Sequence, residues 1–138
     1  TQMNGNITVN DGNWHLITAT RNIFTDKVNV YVDGVLDISL TDNTSSTLES
    51  SDDFWVGQWP FYGRYFDGKI DEISIWNYAM DTTQINNYMN CPPTGNEPEL
   101  LAYWNFDEGT GLTAFDISSG GNNGTLTNSG NHDTAFAC

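Results

Sequence analysis

The run Val28-Asn-Val-Tyr-Val32, Asp33-Gly34, Val35-Leu-Asp-Ile-Ser-Leu40 constrains this chain more than any other feature. An Asp-Gly pair between two β-rich segments is the strongest local signal for a tight antiparallel hairpin, because both residues tolerate the positive φ of a two-residue turn. The neighbouring segments read the same way. Trp14-His-Leu-Ile-Thr-Ala-Thr20, Phe54-Trp-Val-Gly-Gln-Trp59, Ile70-Asp-Glu-Ile-Ser-Ile-Trp76 and Leu101-Ala-Tyr-Trp-Asn-Phe106 are predicted strands, with shorter ones opening at Tyr65-Phe66 and at Thr125-Leu-Thr127. Alternation in Ile70–Trp76 predicts Ile70, Glu72, Ser74 and Trp76 on one face, and Asp71, Ile73 and Ile75 on the other. The polar stretch Thr41–Asp53, the break Pro60–Gly63 and the pair Asp67-Gly68 separate the strands. One helix is predicted: Asp81 and Gln84 have capping-box spacing, Ile85, Tyr88 and Met89 form an apolar stripe, and Pro92-Pro93 stops it. Many short strands with one short helix predict an all-β fold, an antiparallel β-sandwich.

The charge balance narrows the partners. Eighteen acidic residues face four basic ones, Arg21, Lys27, Arg64 and Lys69, for a net charge of −14. Such a surface repels phosphate backbones and anionic membranes, so neither nucleic acid nor lipid headgroups are expected partners. No apolar run is long enough for a transmembrane helix, and membrane insertion is not expected. The two cysteines, Cys91 and Cys138, lack a metal-binding spacing. In a secreted protein they are expected to pair, and the chain-entropy model gives roughly 4 kcal/mol for closing that loop. Sequons at Asn6, Asn43 and Asn123 suit exposed loops.

Three stretches resemble the laminin-G-like (LamG-like) jelly-roll family of the concanavalin A-like lectin/glucanase superfamily. They are Trp14–Thr20 with Val30-Tyr-Val-Asp-Gly-Val-Leu36; Phe66-Asp-Gly-Lys-Ile-Asp-Glu-Ile-Ser-Ile-Trp-Asn-Tyr-Ala79; and Leu101–Gly111 with Phe115-Asp-Ile-Ser-Ser-Gly-Gly-Asn-Asn-Gly-Thr-Leu126. Their order departs from the family, where the Tyr-Trp-Asn-Phe stretch opens the domain and the Ile-Asp-Glu stretch closes it. Residues 1–91 therefore resemble the back half of a sandwich ending in a helix. Residues 92–99 form a linker, and residues 100–138 resemble the opening strand plus a Gly/Asn-rich segment. That segment is expected to fold back beside Ile70–Trp76, with exchange into a neighbouring molecule as the alternative. Half a sandwich otherwise leaves an apolar sheet face uncovered.

Chemistry is weighed on the same residues. Retaining glycoside hydrolysis needs two carboxyls about 5–5.5 Å apart. The one comparable run is Asp71-Glu72, and adjacent strand residues point to opposite faces, so no catalytic residue and no enzyme activity are expected. Gly109-Thr-Gly-Leu-Thr-Ala114 matches a dinucleotide fingerprint on paper but runs into a Gly/Asn tract rather than a helix. The resemblance implies a structural Ca2+, and Asp71, Asp116 and Asn122 are the candidate ligands; turn-capping through Asx-type bonds is the competing reading. Trp59, Phe61, Tyr62 and Arg64 are the candidate ligand-binding set, rings on a Pro/Gly loop beside a forked donor. Tyr65 and Phe66 fall at positions often apolar in the family, which implies a structural role. The expectation is a non-catalytic extracellular or cell-surface module that recognises a glycan or a cell-surface protein. A structural module assembled by strand exchange and an accessory domain of a glycoside hydrolase are the alternatives.

Overall fold

A computed structural model describes residues 4–44, 53–59 and 63–126, the side chain at position 59 apart. Every ladder in it is antiparallel, and α1 is the one helix among the described residues. In chain order the elements are β1 (Ile17–Asn22), β2 (Lys27–Val32), β3 (Val35–Thr41), β4 (Gln58–Trp59), β5 (Arg64–Tyr65), β6 (Ile73–Trp76), α1 (Thr82–Asn90), β7 (Leu100–Trp104), β8 (Thr113–Ala114) and β9 (Gly124–Thr125). The sheets are β1-β2-β3, β4-β5, β6-β7 and β8-β9. The fold is all-β and jelly-roll-like.

The Asp-Gly hairpin forms as its residues dictate. Asp33 and Gly34 both have positive φ, 50° and 75°, and Val32 pairs with Val35 across them. Gly34 is required twice over, since a Cβ there would also lie 2.2 Å from the Asn86 side-chain oxygen of α1. The helix is thus seated directly on the hairpin turn. β3 carries an irregularity that leaves Asp37 without a cross-strand partner. Its carboxylate accepts the backbone N–H of Asn6 (2.8 Å) and Ile7 (3.0 Å), tying the first described residues to β3.

Strand register divides the first sheet into two faces. Ile17, Ala19, Val28, Val30, Val32, Val35, Ile38 and Leu40 share one; Thr18, Thr20, Asn29, Tyr31 and Ser39 share the other. The core cluster of Tyr31, Met80 and Ile85 forms on the second face, with Leu16, Trp76, Tyr78 and Tyr88 packed around it. On the first face Val32 is buried, whereas Ile17 and Val35 are exposed.

The helix follows its sequence closely at the start. Asp81 accepts Gln84 N–H at 2.9 Å, and Gln84 Oε1 accepts Asp81 N–H at 2.9 Å, completing the capping box. Ile85 is 1% exposed and Tyr88 packs on the core, but Met89 points outward, so the predicted stripe is one residue narrower.

β6 and β7 pair within the chain, Ile73 opposite Trp104 and Ile75 opposite Ala102. β6 starts three residues later than predicted. Glu72 has φ 54°, which breaks the alternation, so the predicted face containing Ile70 and Glu72 does not extend before Ile73. The strand predicted over Phe54–Trp59 shrinks to Gln58–Trp59, where Gly57 (φ 70°) ends the extended run. Trp14 to Leu16 precede β1 rather than joining it. β8 was not expected; it gives β9 a partner.

Candidate functional site

The β4–β5 hairpin brings Trp59 and Arg64 together as direct cross-strand partners. Gly57 O accepts Phe66 N–H at 2.8 Å, extending the ladder past the two-residue strands. Phe61 and Tyr62, the other members of the predicted set, lie outside the described residues. What composition did not reveal is the exposure around this hairpin. Phe54 is 66% exposed, Tyr65 64%, Phe66 60% and Trp55 43%. Tyr65 and Phe66 are therefore not core residues as the resemblance implied; β5 is two residues long and both of its residues are exposed. Likewise Phe54 and Trp55 precede β4 and do not alternate into a sheet.

One of these rings is held in place. Phe54 stacks on Trp104 of β7 with centroids 6.4 Å apart and planes 16° from parallel. Trp104 is itself fixed by donating Nε1–H to Asn122 O at 2.9 Å. Ring pairs of this kind add about 0.5–1.5 kcal/mol beyond area burial. Arg64, one of the chain's four cations, lies in β5. The hairpin therefore offers exposed apolar rings, which suit the C–H faces of a neutral polyol.

Of the three candidate metal ligands, Asp116 and Asn122 meet, and they meet through N–H donation. Asp116 is buried and its carboxylate is filled by N–H donors. Oδ1 accepts Tyr103 N (3.0 Å) and Ser118 N (2.9 Å), while Oδ2 accepts Asn122 N (2.7 Å) and Nδ2 (3.1 Å). Burial alone would raise its pKa, but these donors hold it near 2. Asn122 thus offers Asp116 its N–H groups rather than its carbonyl, and its amide also reaches Leu101 O at 3.2 Å. Asp71 accepts Glu72 N–H at 3.0 Å, before the start of β6. The donor set at Asp116 fits a hydrogen-bonded turn that pins residues 116–122 to β7, not a cation cage. Among the described residues, no group of three or more His, Cys, Asp or Glu is placed to hold a metal ion. Cys91 is exposed, with no disulfide among the described residues, and Cys138 lies outside them.

Two side-chain clusters had no signal in the sequence. His15 bridges Asp33 (Nδ1, 2.7 Å) and Asp11 (Nε2, 3.0 Å), while Asp33 also accepts Leu16 N–H at 2.9 Å. The bond to Asp33, and then that to Asp11, raise the imidazole pKa above its ordinary value. This cluster clamps the entry to β1 onto the hairpin turn. In the second cluster the Tyr103 hydroxyl donates to Glu72 Oε2. Burial pushes the Glu72 carboxyl up against the pull of that bond, and burial with the adjacent carboxylate pushes the Tyr103 phenol up. Asp71 and Asp107 add like charge around Glu72.

A laminin G family model, described as the concanavalin A-like lectin/glucanases superfamily, matches residues 1–86. A crystal structure described as "a putative carbohydrate binding protein from Bacteroides ovatus" superposes on 91% of this chain with a TM-score of 0.72 and 20% identity. This chain spans 40% of that protein's length. No curated protein matches the chain. Among the described residues no helix is long and apolar enough to cross a membrane.

Proposed function

Because the chain belongs to the laminin-G-like family of the concanavalin A-like lectin/glucanases superfamily, we propose that it is a non-catalytic module that binds neutral carbohydrate. The observation that carries this reading is the exposure of Phe54, Trp55, Tyr65 and Phe66 around a hairpin whose backbone also pairs Trp59 with Arg64. Exposed rings on a braced support stack on pyranose faces, and the acidic surface elsewhere disfavours anionic ligands. The description of the Bacteroides ovatus protein supports the same ligand class. An extracellular or cell-surface setting follows from such a ligand.

The test is a glycan array followed by calorimetry on the best neutral oligosaccharide. Tyr65→Ala and Trp59→Ala are each expected to cost about 0.5–1.5 kcal/mol, or about two- to twelve-fold in Kd. Absence of binding to every neutral glycan, or variants that bind as the parent does, would overturn the reading.

The exposed Ile17 and Val35 favour a second reading, a structural module whose β1–β3 face is covered by another copy. Light scattering across a concentration series separates the two. A monomer that binds glycan supports recognition; concentration-dependent oligomers without glycan binding support assembly.

A further inference from the structure

Away from the hairpin, a cleft of about 380 Å3 opens between α1 and the loop that follows it. Tyr78, Gln84, Asn87 and Tyr88 line it from the helix and the segment before it; Thr94 and Glu97 line it from the loop. The wall is rigid. Trp76 stands against both tyrosines, 5.9 Å from Tyr78 and 4.7 Å from Tyr88 between centroids, and this trio packs on the core. Ligand sites span about 300–1,000 Å3, so the cleft suits one or two sugar rings rather than a long stretch of polymer.

Its chemistry selects the ligand. Gln84 Oε1 is held by Asp81 N–H at 2.9 Å, which fixes the amide and directs Nε2 to the Tyr78 oxygen at 3.4 Å. One N–H of Gln84 and the Tyr78 hydroxyl proton remain for a ligand. The Asn87 amide adds two donors and an acceptor, and Tyr88 a second phenol. Glu97 turns its carboxylate to its own loop, accepting Thr94 N (2.7 Å), Thr94 Oγ1 (2.9 Å) and Gly95 N (3.0 Å). It therefore builds the wall instead of ligating, and its charge repels anions. Among the described residues no Lys, Arg or His lines the cleft to offset it. A cation meets one carboxylate already occupied by three donors. A neutral polyol matches every group: its hydroxyls both donate and accept, as the amides and phenols do, and its C–H face suits a tyrosine ring.

We propose that this cleft is a second saccharide subsite, taking one or two residues of a neutral glycan independently of the β4–β5 hairpin. It rests on the carbohydrate reading for its ligand class and on separate residues for its location.

The test is an NMR titration of the 15N-labelled chain with cellobiose, maltose, lactose and chitobiose, and with glucuronic acid. At least one disaccharide is expected to shift the side-chain amide signals of Gln84 and Asn87 saturably, and glucuronic acid is expected to bind about ten-fold more weakly or not at all. Asn87→Ala lies on the exposed side of α1 and favours helix; it is expected to weaken the cleft response about ten-fold. Trp59→Ala is expected to leave that response unchanged. If no disaccharide shifts these amides saturably up to roughly 50 mM, or if Asn87→Ala binds as the parent does, the subsite is overturned. The same spectra report the hairpin. A responding hairpin with a silent cleft removes the subsite alone, and a responding cleft with a silent hairpin removes the hairpin reading alone.

Discussion

Around α1 the chain closes on itself, whereas around the β4–β5 hairpin it stays open, although both regions are rich in aromatic residues. Near the helix, Tyr31, Trp76, Tyr78 and Tyr88 meet Met80 and Ile85, and the capping box sets the helix on the hairpin turn at Gly34. Near β4–β5, Tyr65 and Phe66 have no such cover, and Phe54 is held through one stack on Trp104. Ring content alone does not separate core from contact surface. What separates them is whether a neighbouring element has an anchored path over the rings.

The comparison can be broken most severely at Ile85. Ile85→Ala should cost about 2–5 kcal/mol of folding stability, read as a lowered urea midpoint. A loss below about 1 kcal/mol would mean that the closed region does not hold the fold together. Asp81→Ala removes the cap and should cost about 1 kcal/mol by the same measurement.

Two pH experiments sharpen the contrast within the closed part. His15 has its pKa raised by Asp33 and Asp11. Its contribution is full below the ordinary histidine value, about 6.5, and fades as pH rises through the folded-state value. The stability gap between the parent and His15→Gln should accordingly shrink on going from acid to alkaline pH; a constant gap would rule out the clamp. Glu72 also has a raised pKa, through burial. The parent and Glu72→Gln should be equally stable at acid pH. As pH rises through the Glu72 folded value, the parent should lose ground to Glu72→Gln, because an amide accepts from Tyr103 without burying charge. A parent more stable than Glu72→Gln at neutral pH would contradict this.

The smallest effect belongs to the open region. Tyr65→Ala should change stability by no more than about 0.5 kcal/mol while weakening glycan binding. A large destabilisation would show that the ring is a core residue after all.

Local chemistry made much of the fold legible. Asp33-Gly34 encodes its own turn, Asp81 with Gln84 its own cap, and Ile73–Trp76 its own strand, because each signal acts within a few residues. The candidate site was half legible. Sequence spacing pointed to Trp59 and Arg64, and the structure makes them register partners. It gave no sign that Phe54, Trp55, Tyr65 and Phe66 would be exposed, since an exposed and a buried aromatic look alike until packing is known. Asp116 and Asn122 were picked for their oxygens, yet Asn122 offers N–H groups, a choice set by where β7 presents its backbone.

By itself the sequence determined an antiparallel β chain with one capped helix and an acidic surface, since hairpin, cap and charge are local or additive properties. Tertiary structure alone decided the rest. It decided which aromatic rings stay open to a ligand, that Asn86 sits over Gly34, that His15 finds two carboxylates, and that Tyr78, Asn87 and Glu97 border one cleft. Each of these depends on residues distant in the chain arriving at one place, and no window of sequence contains that distance.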